Sequence, residues 1–157
     1  MSKQIIIPLL LSLVFVGCAS VPRADPQAVQ QQKSIETPQT GNAGIFVYRS
    51  NNVVGGGLKK DIWLNGECIG ASANNVFFFE EIIAEGAEHK ISTESEFSPN
   101  HLLLNAESGK NYFVEQYIKM GVFAGGANLR LVDEAKAKQK IAKLKLARQG
   151  SCSGPTL

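Results

Sequence analysis

The sequence predicts an all-β domain: an antiparallel β-sandwich of about seven or eight strands with one C-terminal α-helix. From Gly44 onward the chain breaks into short apolar or alternating runs separated by turn residues at close spacing, the texture of a sandwich or barrel. Asn65-Gly66 sits between two such runs and suits a two-residue type I′ hairpin, which needs positive φ at both positions. After Asp133 the texture changes to EAKAKQKIAKLKLARQ, made throughout of helix formers.

Seven strands are read at residues 45–49, 58–64, 67–72, 76–83, 89–94, 101–105 and 111–120, with an eighth at 128–132. Glu85-Gly86 and Ser108-Gly109 supply turns at two further divisions. Pairing Leu64 with Glu67 across the hairpin predicts Ile62 opposite Ile69 and Trp63 opposite Cys68. Ile62, Leu64 and Ile69 then face the core, and Trp63 and Cys68 face the other way. Asp133 is a good N-cap, and Ala137, Ile141 and Leu144 share one helical face, so a helix is expected from there to about Leu144. The alternation Leu144-Lys145-Leu146 leaves a final strand open. A body of about 115 residues buries roughly two thirds of the unfolded chain's surface, enough for a stable domain without metal.

The N-terminus carries a different signal. Lys3 precedes twelve residues, IIIPLLLSLVFV, that are nearly all apolar, followed by Gly17 and Cys18. Twelve helical residues span about 18 Å, short of the roughly 30 Å hydrocarbon core, so a cleaved export signal over 1–17 fits better than a transmembrane helix. Phe15-Val16-Gly17-Cys18 resembles the bacterial lipobox, with Phe where that motif prefers Leu. The resemblance implies a diacylglycerol thioether and an amide-linked acyl chain (palmitate or similar) on Cys18, a stable anchor because several chains act together. Ala19 after the cysteine resembles the outer-membrane sorting signal of Gram-negative lipoproteins. Residues 18–42 contain Pro22, Pro26 and Pro38, four glutamines between Gln27 and Gln32 and no aromatic residue, and read as a tether. As a flexible coil it spans about 27 Å. Residues 43–148 form the body and 149–157 are expected to be a disordered tail.

Sixteen basic against 14 acidic side chains give a formal charge of +2, far from the dense basic footprint of a nucleic-acid binder. The basic residues cluster between Lys136 and Arg148, a stretch that could touch anionic lipid or cell wall or be a solvated helix face.

The segments GNAGIFVYR, VVGGGLKKDIWLNGECIG, Phe77-Phe78-Phe79, GAEHKISTESE and GKNYFVEQYIKMG, in that order, resemble the domain of unknown function 2846, a family found largely in bacterial lipoproteins. The resemblance covers roughly residues 41–146 and implies a small sandwich-like domain. Residues 62–90 are also similar to PEGA-type surface modules. Neither resemblance brings catalytic residues.

The reactive constellations are thin. Gly55-Gly56-Gly57 and Gly125-Gly126 lack the G-K-[ST] ending or G-x-G-x-x-G turn of a phosphate loop and read as loops or bulges. His89 and His101 lack metal-ligand spacing, so neither a metal nor a cofactor is expected. Glu80, Glu81, Glu94 and Glu96 could pair for glycoside hydrolysis, which needs two carboxylates across a groove, although solvated strand faces explain them more simply. With Cys18 lipidated, Cys68 and Cys152 either form a bridge, as an oxidising compartment favours, or remain a partly buried thiol and a free thiol on the tail. Trp63, Tyr112 and Tyr117 are either core or an exposed aromatic face for a sugar or partner chain, with Trp63 and Tyr117 the candidates for a binding face.

These readings anticipate a non-catalytic envelope lipoprotein facing the periplasm, an accessory or interaction module partnered by the membrane and by an envelope protein or peptidoglycan. A cell-wall-binding module and an envelope hydrolase are the alternatives.

Overall fold

The computed structural model describes residues 19–27, 29, 36–84, 86 and 88–154. Cys18 and residues 1–17, read from sequence as an export signal, lie outside the described residues. Among the described residues nine strands form two sheets: β1 (Asn42–Arg49), β2 (Lys60–Leu64), β3 (Glu67–Ser72), β4 (Val76–Ile83), β5 (Glu88–Thr93), β6 (Asn100–Asn105), β7 (Asn111–Lys119), β8 (Gly126–Leu131) and β9 (Lys145–Leu146), with helix α1 (Glu134–Ile141) before the last. The five-stranded sheet has the order β8-β7-β1-β4-β9 and the four-stranded sheet β3-β2-β5-β6. Most neighbouring pairs are antiparallel; β1 with β7 and β4 with β9 are parallel.

Alternation along the strands builds two cores, one on each face of the larger sheet. Ile45, Val47, Ile62, Leu64, Ile69, Phe78, Ile91 and Val114 fill the space between the sheets. The residues between them in sequence, Phe46, Tyr48, Phe77 and Phe113, point to the opposite face, where Ala137, Ile141 and Leu144 of the helical segment cover them. Phe46 lies between Phe79 and Phe113, at centroid distances of 4.7 and 5.1 Å. Asp133 caps α1 by accepting the Ala135 and Lys136 amides.

The hairpin has Leu64 opposite Glu67 and Trp63 opposite Cys68, but Ile62 pairs with Gly70 rather than Ile69. A bulge leaves Ile69 as the extra residue, still in the core. Gly70 makes it feasible, with φ +146° and a position where a Cβ would lie 3.1 Å from the Phe78 ring.

Both chain ends depart from expectation. The segment read as a free tether is docked at its start: Arg23 bridges Ala147, Ala24 N–H donates to the Leu146 carbonyl, and Arg148 N–H donates to that of Pro22. Val21 packs on the inter-sheet core, and Ala24 and Val29 on the helix-side core. The backbone of β9 and its continuation is exposed on one edge, and pairing satisfies it. The tail read as disordered is also seated as far as Gly154. Gly150 N–H donates to Ile69, and Asp61 accepts from the Ser153 amide and hydroxyl and from the Gly154 amide.

A charged row ties α1 to the sheet. Glu115 is 5% exposed and accepts from Ser50, Arg130 and Lys140. Burial alone would raise its carboxyl, but the hydrogen bonds and charges of Lys140 and Arg130 outweigh that and hold it below the usual range. Tyr48, beside Glu115 across the β1/β7 pair, is pushed up to about 12 by burial and by that charge. A carboxyl lowered in the folded state contributes stability above the ordinary carboxylate range and loses it as pH falls through the folded value. Glu115→Gln is therefore expected to cost about 2 kcal/mol at neutral pH, allowing for the solvent exposure of both cations. The gap from the parent should close in acid; urea unfolding of both proteins at neutral and acid pH checks it.

Candidate interaction surface

The residues proposed from sequence as one aromatic face are on different sides of the molecule. Trp63 points from the outer face of the four-stranded sheet, is 1% exposed, and lies under the tail, with Gly154 against its ring. It offers no surface to a ligand. Tyr117 lies on the helix side of the other sheet, half-buried, its hydroxyl accepting from Asn128 and its ring 5.0 Å from the Arg130 guanidinium. Tyr112 accepts the Glu107 amide at another edge. Cys68 and Cys152 form a disulfide that pins the tail across Trp63.

The four glutamates do not share one site. Glu94 accepts the Asp61 amide and Glu96 caps a loop at one end of the sandwich. Glu80 and Glu81 line, with Glu67, a cleft of about 350 Å³ between β3 and β4. Burial raises the Glu80 carboxyl, against a hydrogen bond from Gln149, and the charge of Glu67 adds to the rise. The tail thus already occupies one side of that cleft. Ser92 and His101 share a hydrogen bond of 2.8 Å, but Ser92 is fully buried, so no nucleophile is presented. His89 bonds Asn65 on the opposite face of the same sheet. Among the described residues no group of three or more His, Cys, Asp or Glu side chains is placed to hold a metal ion.

The prominent surface feature lies where sequence reading did not look. Three loops meet at one end: residues 50–59 after β1, 94–99 after β5, and 120–125 after β7. They expose Val53 (97%), Phe123 (88%), Met120 (85%), Val122 (77%) and Phe97 (76%), far beyond the scattered apolar residues of an ordinary surface. Phe97 and Phe123 meet edge to face at 6.4 Å. The loops have built-in support. Glu96 accepts the backbone N–H groups of Val122 (2.7 Å), Phe123 and Ala124 (3.0 Å), and these bonds, that to Phe123 foremost, hold its carboxyl below the usual range. At Gly121 any Cβ would collide with the Ala124 carbonyl oxygen. Beneath them Gly55 approaches Ile118, and Gly125 approaches Leu58. Lys59 and Lys119 are exposed beside this apolar tip. The signal was present in MGVFAGG as apolar residues among glycines, but adjacency to Phe97 and Val54 needed the fold.

Residues 39–127, more than half of the chain, match the family described as "Protein of unknown function (DUF2846)". The chain belongs to the DUF2846 family. A Haemophilus influenzae relative described as "Uncharacterized protein" is 47% identical over 137 residues, which is 87% of this chain and 80% of that protein. No solved structure matches the chain. The family match takes in all three tip loops and ends within β8, before α1, β9 and the tail.

Proposed function

We propose that this DUF2846 protein is a non-catalytic envelope lipoprotein, anchored through Cys18 in the outer membrane and facing the periplasm, that acts as an accessory or interaction module. The observation that carries the interaction role is the three-loop tip. Apolar side chains held outward by a buttressed carboxylate cost solvation, and contact with a partner relieves that cost. The partner is an envelope protein with an apolar patch rimmed by acidic groups, complementary to Lys59 and Lys119. Support for the anchor comes from the apolar run and Cys18, and the disulfide is in keeping with export to an oxidising compartment.

The test is in-cell photo-cross-linking of the full-length protein with benzoylphenylalanine at Phe123 or, as control, at Lys136 on α1. One reproducible protein adduct from position 123, lost on adding Glu96→Ala, is the expected result. Glycan-modified peptides in its place would shift the reading to wall binding, and equal adducts from both positions would overturn the tip.

A further inference from the structure

Resting on the reading of the three-loop tip as an interaction surface, the shape between two of its loops names what it takes from a partner. Val54, Gly55 and Leu58 face residues 118–125 across a groove of about 290 Å³. Val54, Leu58, Ile118, Met120, Val122 and Phe123 make its walls apolar, and among the described residues Lys119 is the one charged side chain lining it. The volume is at the lower bound of the roughly 300–1,000 Å³ of small-molecule sites, so it suits one large side chain rather than a helix face.

One wall is held by a buried cation. Arg49 is 2% exposed and donates to the carbonyls of Gly55, Leu58 and Ser72. Among the described residues it has no ion pair. A guanidinium taken out of water without a counter-charge is costly, and here its donors fix Gly55 and Leu58 of the groove. Glu96 holds the other wall through the amides of Val122, Phe123 and Ala124. Glycines bring the two walls together: a Cβ at Gly55 would lie 2.6 Å from Ile118, and one at Gly125 would lie 2.7 Å from Leu58. The groove is thus set before anything binds, which lowers the ordering cost of association.

Charge selects the occupant. Lys119 on the groove and Lys59 next to Leu58 are exposed, and neither has an ion pair among the described residues. Both Glu96 oxygens are engaged by the loop amides. A protein segment that carries an acid beside an apolar anchor meets both the groove and the ammonium groups, whereas a neutral acyl chain meets the groove alone.

We propose that the groove between residues 54–58 and 118–125 seats a single large apolar side chain of the partner protein, with a neighbouring carboxylate of that partner on Lys119.

The experiment uses the full-length protein in lipid nanodiscs with its methionine methyl groups labelled for NMR; the chain has two methionines, Met1 and Met120. The ligands are three capped dipeptide amides. N-acetyl-phenylalanyl-aspartate amide should shift the Met120 methyl in a saturable way. The alanyl-aspartate compound, which lacks the anchor, should bind about tenfold more weakly or worse. The phenylalanyl-lysine compound should bind about threefold more weakly than phenylalanyl-aspartate, and the exposed charge reversal Lys119→Glu should invert that order. No shift with any of the three, or an equal response to the acidic and basic compounds in parent and variant, would overturn the groove. A protein adduct from position 123 in the cross-linking experiment would then leave the tip standing, and its loss as well would overturn both. Magnetisation transfer from lipid acyl chains to the Met120 methyl would give the groove to the membrane and overturn the proposal. A shift that follows protein concentration alone would give it to a second copy and do the same.

Discussion

Replacing Cys68 and Cys152 by serine is expected to lower the free energy of unfolding by about 4 kcal/mol. The bridge spans 84 positions in sequence, and cross-linking so distant a pair removes much of the loop-closure entropy of the unfolded chain. A native-state loss adds to it. Without the bridge the tail's remaining hold is Asp61, which accepts three hydrogen bonds from Ser153 and Gly154. If the tail lifts, that 1%-exposed carboxylate gains water, and so does the Trp63 ring. Urea unfolding followed by tryptophan fluorescence reads both effects, since Trp63 is the chain's one tryptophan. The expected outcome is a lower midpoint and a red-shifted native spectrum under reducing conditions for the parent, and under all conditions for the double serine variant. An unshifted spectrum with an unchanged midpoint would show that the tail is held without the disulfide.

The second large effect is at Trp63 itself. Truncation of a fully buried tryptophan to alanine is expected to cost about 4 kcal/mol, through lost apolar burial and the cavity left behind. A surface binding residue, by contrast, changes stability by roughly half a kcal/mol or less. Trp63→Ala thus separates the two sequence readings of this residue by stability alone, measured by far-UV circular dichroism on thermal or urea unfolding. Because the tail passes beside the ring, where a Cβ at Gly154 would lie 3.8 Å from it, the tryptophan and the disulfide share a structure. The cost of combining Trp63→Ala with the cysteine replacements should fall short of the sum by about 1 kcal/mol or more.

Much of the fold was legible in the chain because local chemistry and tertiary demand agree there. The strand runs around Ile45–Arg49, Leu64, Val76–Ile83 and Asn111–Lys119 carry the alternation that a sandwich needs, and Asn65-Gly66 supplies positive φ at both turn positions. The helix was readable from Asp133 and from Ala137, Ile141 and Leu144 on one face. Ile69 was rightly assigned to the core, yet its partner was missed, because a bulge depends on the close approach of Phe78 to Gly70 and not on the hairpin's own turn.

The two ends and the interaction surface were not legible, for one physical reason. Docking of 21–24 depends on an unpaired β9 edge supplied from residues more than a hundred positions away, and the polar, proline-containing composition of 19–42 only reports that the segment cannot build a core of its own. The tail likewise looks unstructured until Asp61 and Cys68 are brought beside it. The apolar tip is assembled from Val53, Phe97 and Met120–Phe123, each unremarkable in its own loop and made into a patch only when the strands β1, β5 and β7 end at the same place. The sequence by itself determined the β class, the succession of strands along the chain, the helix, the apolar run before Cys18 and the membership of its family. That the tail covers Trp63, where the N-terminal segment runs and which loops stand together were decided by the tertiary structure, because each depends on contacts between residues whose separation leaves no periodic trace in the chain.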